Sequence, residues 1–265
     1  VAASFAYFFC LLCSYYIIRP VRDEMGITGG VDQLQWVFTG TFVVMLAAVP
    51  LFGALSAKLP RARLLPAVYL FFIVNLLFFH LLLSGESQPV WGARAFFIWV
   101  SVYNLFIVSV FWSFMADIYT REQGRRMFGF ITSGGSIGAL LGGLLTSRFV
   151  VDIGFHNLLP ISAAILLLAV LCIGRLKEWV HHEHEEEIEQ TVESGEPLGG
   201  SPFAGITHVL SSRYFLGIAL SSVIASLLGT ALYMFAADLV ETAIVTADER
   251  TRFFSNMNNW QNALA

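Results

Sequence analysis

The sequence predicts an all-α, polytopic membrane bundle, and three observations carry that prediction. Apolar blocks about 20 residues long recur along the chain, the length a helix needs to cross the hydrocarbon core of a bilayer. Nearly all charges fall in the gaps between the blocks. Hydrophobic residues make up 57% of the 265 residues and charged residues 13%, about half the charged share of an average soluble domain. The mean hydropathy is +0.71. A soluble domain of this size could not bury so much apolar surface, so lipid is the expected solvent.

The spans are expected at 1–18, 34–56, 64–84, 93–117, 127–149, 157–175 and 214–237, with an eighth beginning near Phe253. The first is free of charge up to Arg19. The second ends before Lys58, and the third starts just after Arg63. The fourth runs from Arg94 to Asp117. The fifth follows Arg125 and Arg126, and the sixth closes at Arg175. Short loops join the second to sixth spans. From about 176 to 213 the chain is polar and acidic, and it separates the first six spans from the seventh and eighth. The expected organisation is a six-helix half over 1–177, a cytoplasmic linker over 178–212, and the start of a second half over 213–265. The chain reads as a piece of a longer protein, without a cleavable signal peptide. Cys10 and Cys13 sit inside an apolar span and read as small packing residues.

Lys and Arg set the orientation. With the N-terminus cytoplasmic, nine of the 15 fall inside, including two tight clusters, Lys58, Arg61 and Arg63, and Arg121, Arg125 and Arg126. Arg19, Arg22, Arg94, Arg148, Arg250 and Arg252 fall outside. The exceptions matter, because ionisable groups near lipid are expensive and mark function. Tyr15, Tyr16, Arg19, Arg22, Asp23 and Glu24 close the first span. Guanidinium groups hold phosphate or carboxylate bidentately, so this end could meet an anionic, aromatic solute. The alternative is that both Arg pair with Asp23 and Glu24 or reach headgroups.

In the fourth span Ser101, Asn104 and Trp112 fall near one helical face, which reads either as a cavity lining or as an interhelical polar seam. Asp117 lies four residues before Arg121, fitting a local pair or a coupling carboxylate. In the fifth, Gly134, Gly138 and Gly142 recur at four-residue steps, with Gly129 and Gly143 nearby, and read as a close helix contact. His80 is a packed polar residue or a proton relay. The run from Glu178 to Glu187 mixes His with acids but reads as solvated linker, since a metal site needs fixed geometry. Phe203 to Leu210 has the spacing of an interfacial amphipathic helix. No phosphate-binding G-x-x-x-x-G-K-[ST] loop, zinc spacing or G-x-S-x-G elbow is present. No enzyme, cofactor, metal or nucleic-acid partner is therefore expected.

Six spans, a long inner loop and further spans form the layout of the major facilitator fold, with two parallel-repeat halves. The stretch Gly53 to Arg63 resembles the G-x-L-x-D-R-x-G-R-R/K signature of that superfamily, with Ala57 for Asp and Pro60 for Gly. Gly129, Gly138 and Gly142 resemble part of its antiporter motif, with Gly143 in place of the following Pro. Within the superfamily, four runs resemble the ATP:ADP antiporters of plastids and intracellular bacteria. These are Tyr15–Asp23, Phe111–Asp117, Arg125–Gly129 and Leu239–Glu241. Arg22 stands for a Lys of that family, Asp117 for a Glu, and Ala116 for an Asn. The resemblance implies about seven to eight of twelve spans, nucleotide exchange, and transport roles for Arg22, Asp117 and Glu241. In parallel repeats Arg22 and Glu241 occupy equivalent positions, which makes them an expected outer gate. A monomer in a bacterial inner membrane is expected. Two rivals stay open: a proton-coupled carrier of another organic anion acting through Asp117 or His80, and a non-transporting scaffold using the acidic loop.

Overall fold

A computed structural model describes residues 1–58, 61–85, 89–183 and 211–264. Every regular element among them is helical. The helices are α1 (Ala2–Thr28), α2 (Leu34–Lys58), α3 (Arg61–Leu83), α4 (Val90–Ile118), α5 (Arg121–Ile153), α6 (Leu158–Glu183), α7 (Arg213–Ala243) and α8 (Ala247–Leu264). Seven are long and apolar enough to cross a membrane. The eighth, α8, is not one of them. It begins at Ala247, before the expected start at Phe253, and carries Asn256, Asn258, Asn259 and Asn262.

Local chemistry explains where the helices start and stop. Thr120 caps α5 in a reciprocal box: its hydroxyl accepts from the Gln123 amide at 3.4 Å, and Gln123 Oε1 accepts from the Thr120 amide at 3.1 Å. Both orphan donors are thereby satisfied. After α1 the chain turns at Gly30, with φ of +97°, a conformation that favours glycine. Arg94 Nε donates to the Gly29 carbonyl at 2.8 Å and closes that helix end. The α5–α6 turn uses Gly154 at φ +82°.

Helix α1 is the centre of the bundle, packed by α4, α5, α6 and α8. Its contact with α5 is backbone to backbone. A Cβ at Gly134 would lie 2.8 Å from the Phe5 carbonyl, one at Gly142 would lie 2.5 Å from the Cys13 carbonyl, and one at Gly138 would strike the Phe9 carbonyl. The four-residue glycine step is thus the packing device expected of it. Buried polar pairs tie α1 to its other neighbours. Ser14 Oγ lies 2.8 Å from the Tyr103 hydroxyl and 2.8 Å from Ser162 Oγ, joining α1, α4 and α6. Ser4 meets the Tyr119 hydroxyl at 2.8 Å, and Tyr7 meets Tyr69. Hydrogen bonds between helices are favoured where apolar surroundings offer no other partner.

The odd-numbered helices all finish at one end of the bundle, here termed the rim. Arg94 reaches Gly29 there, His80 Nδ1 lies 2.9 Å from the His156 carbonyl, and the Phe155 amide donates to Asp248 Oδ1 at 2.8 Å. Away from the centre, α2, α3 and α7 present Phe42, Leu46, Phe71, Val74, Leu81 and Leu227 outward, as a lipid-facing surface does. Cys10 and Cys13 are buried free thiols. The linker from 184 to 210, including the 203–210 stretch, lies outside the described residues. So do the side chains of 52–58, 61–64 and 177–183, which bear the basic-loop signature and the start of the His/Glu run.

Candidate functional site

The charged close of α1 meets α4, α7 and α8 at the rim. Arg22 Nη2 lies 2.7 Å from Asp23 Oδ1, with Nε at 3.1 Å from the same oxygen. The Arg22 guanidinium also sits over the Phe97 ring of α4 at 5.1 Å. Tyr233 of α7 donates to that Asp23 oxygen at 3.3 Å. Glu24 is fully buried and forms an ion pair with Arg250 Nε of α8 at 2.8 Å, while Arg250 Nη2 and the Thr28 hydroxyl donate to its other oxygen at 3.0 and 2.9 Å. Two acids and two guanidinium groups therefore neutralise one another in a nearly dry setting, where unpaired charge would be costly.

Arg19 is treated differently. Its Nη1 donates to the Tyr16 hydroxyl at 3.3 Å, and its carbon centre lies 5.3 Å from the Tyr16 ring centroid. Among the described residues it has no carboxylate partner, and its buried Nε has no acceptor. Tyr16 donates in turn to Asn262 Oδ1 of α8 at 3.1 Å. Tyr15 is buried, with its ring stacked on Tyr103 at 6.5 Å. Inside α1, Pro20 removes the amide that would bond the Tyr16 carbonyl and so weakens the helix beside Arg19.

The remaining expected residues do not gather here. Glu241 is exposed in the last turn of α7, on the rim side, but the partner of Arg22 is Asp23 and the cross-helix ion pair is Glu24–Arg250. The ion pairs described at this end thus involve Asp23 and Glu24, the residues that follow Arg22 on α1. Asp117 is exposed at the far end of α4, near the junction where Ser4 meets Tyr119; the side chain of its expected neighbour Arg121 lies outside the described residues. Ser101 donates back to the Phe97 carbonyl at 3.2 Å. Trp112 is packed among Phe8, Phe111 and Phe128 at 5.5, 5.1 and 5.4 Å. Asn104 is half-buried. The polar line on α4 is therefore divided between self-bonding and aromatic packing.

Residues of α8 escape a reading by hydropathy because its charged and amide-rich sequence lacks the apolar run that marks a span. A signal is present all the same: Thr251, Ser255, Asn258 and Asn262 recur at three- and four-residue steps, the spacing of one helix face. Ser255 donates to the Gly143 carbonyl of α5 at 2.7 Å, and a Cβ at Gly143 would strike the Asn259 amide. The glycine standing where the antiporter motif has proline thus makes room for α8.

A central first helix, membrane-crossing helices around it, and an eighth helix wedged against α1 and α5 agree with one comparison. The family model of the Major Facilitator Superfamily matches residues 3–246. The chain belongs to the major facilitator superfamily. It is a multi-pass integral membrane protein of a superfamily of secondary transporters, and a solute is its substrate. No curated protein and no solved structure matches it.

Proposed function

We propose that this major facilitator protein carries an anionic solute by alternating access, and that the reaction is exchange of ATP- and ADP-type nucleotides. The observation that carries the anion is Arg19. Arg22 and Arg250 are each neutralised by a neighbouring acid, whereas Arg19 brings a half-buried guanidinium into the α1–α8 seam with no carboxylate among the described residues. A positive group in such surroundings is stabilised by a negative solute, and fixed donors there replace the solute's lost hydration. The short runs shared with the ATP:ADP antiporters support nucleotide as that solute. On this reading Arg19 takes the phosphate contact with Tyr15 and Tyr16 beside it, Arg22 holds Asp23 in place, and Asp117 and Glu241 act at the two ends of the transport path. The protein works as a monomer in a bacterial inner membrane with its N-terminus cytoplasmic.

Proteoliposomes test the exchange. Uptake of labelled ATP is expected to require ADP inside the vesicle. Uptake that tracks an imposed pH gradient and ignores internal ADP would replace exchange with proton coupling. Deleting 184–194 is expected to leave uptake largely intact; loss of a partner interaction with full loss of function would favour a scaffold.

A further inference from the structure

The α1–α8 seam holds more unpartnered polar chemistry than Arg19 alone. Helix α8 runs antiparallel to α1: Arg250 pairs with Glu24 near one end, and Asn262 bonds Tyr16 twelve residues later. Arg19 lies three of the eight residues from Tyr16 towards Glu24. Asn258, like Arg19, lies between the two cross-helix contacts, four residues from Asn262 towards Arg250. It is 1% exposed, and among the described residues neither its Nδ2 nor its Oδ1 has a hydrogen-bond partner. Arg19 Nε and Asn262 Nδ2 are likewise buried and unbonded. Buried amides without partners are rare in native folds, because each bears an uncompensated desolvation cost. Here four such atoms from three side chains lie along the one stretch of the α1–α8 seam between these two contacts.

Their chemistry defines what fits. Arg19 is a cation whose planar fork matches paired anionic oxygens. Asn258 presents one donor side and one acceptor side, which a ligand satisfies only with an adjoining acceptor and donor. Asn262 Nδ2 and Tyr16 flank the pair. Inorganic phosphate answers to Arg19 but does not need the amide edge. We propose that Arg19 and Asn258, with Tyr16 and Asn262, form a binding subsite for an organic anion carrying a donor–acceptor edge beside its charged oxygens. The proposal rests on the reading of the solute as an anion and adds α8 to the residues that recognise it.

The test is calorimetric titration of the full chain, purified in detergent, with ADP, citrate and inorganic phosphate. At least one organic anion is expected to bind. Arg19→Gln should weaken that ligand and inorganic phosphate at least tenfold. Asn258→Ala should weaken the organic anion about tenfold and leave phosphate within twofold, a split that a merely structural role does not produce. Asn258→Ser serves the same comparison where Asn258→Ala does not fold. Arg148→Gln, at an exposed pair with Asp152, should bind as the unaltered chain does. If Asn258 and Arg19 variants bind the organic anion unchanged, the subsite is overturned while the anionic solute stands. If Asn258→Ala weakens both ligands equally, the donor–acceptor role is overturned. If the unaltered chain binds none of the three, the anion reading falls and the subsite with it.

Discussion

Arg19 and Arg22 lie one helical turn apart and meet opposite fates. Arg22 serves the fold: its partner Asp23 is 2% exposed, and removing the cation leaves that carboxylate buried and alone. Arg22→Gln should lower stability by on the order of 3 kcal/mol, and the double variant Arg22→Gln/Asp23→Asn should recover most of it, as read by chemical unfolding in detergent. Arg19→Gln, which removes no ion pair, should stay within about 1 kcal/mol of the parent while losing anion binding. The sequence marks both as topological exceptions and draws attention to the end of α1. It does not rank them, because the choice depends on which side Asp23 and Glu24 turn to. Glu24 turns to Arg250, 226 residues away, a contact invisible to any local pattern. Asn258 is hidden for a related reason: an amide in a polar helix looks solvated until its burial is seen.

At the scale of elements, hydropathy finds seven helices and misjudges their ends. The first span is expected to stop at residue 18, yet α1 continues to Thr28. Charges terminate an apolar window but not a helix, when neighbours on α1 itself and on α8 neutralise them and Tyr233 of α7 adds a hydrogen bond. The same logic hides the start of α8. The glycine ladder is legible because small residues at a four-residue step have few other uses in a membrane helix. It predicts a sharp contrast. Gly138→Ala pushes a methyl onto the Phe9 carbonyl and should destabilise by about 1–3 kcal/mol. Gly129→Ala meets nothing within 4 Å and should be neutral or stabilise by up to about 1 kcal/mol. Thermal unfolding of the two variants side by side measures the difference.

For the whole molecule, the rim is one face of the membrane and the Tyr119–Thr120 turn belongs to the other. In a background with Cys172 replaced by Ser, a cysteine at Ser84 should react with an impermeant maleimide on intact cells. One at Thr120 should react only after permeabilisation. The reverse pattern would invert the proposed orientation and leave the fold untouched. The ladder between α1 and α5 also limits how such a carrier can move. Its notches repeat every four residues, about 6 Å along the axis, and between notches a Cβ-bearing residue meets backbone. Sliding by part of a notch is blocked, and sliding by a whole one would tear the bond that Thr146 of α5 donates to the Ile17 carbonyl of α1 at 3.3 Å. The two helices have no sliding degree of freedom and must travel as one solid part. Arg19 and Tyr16 ride on that part while Asn258 and Asn262 ride on α8. A cargo held by the proposed subsite is gripped across a parting line, so a displacement that opens the seam also loosens the grip.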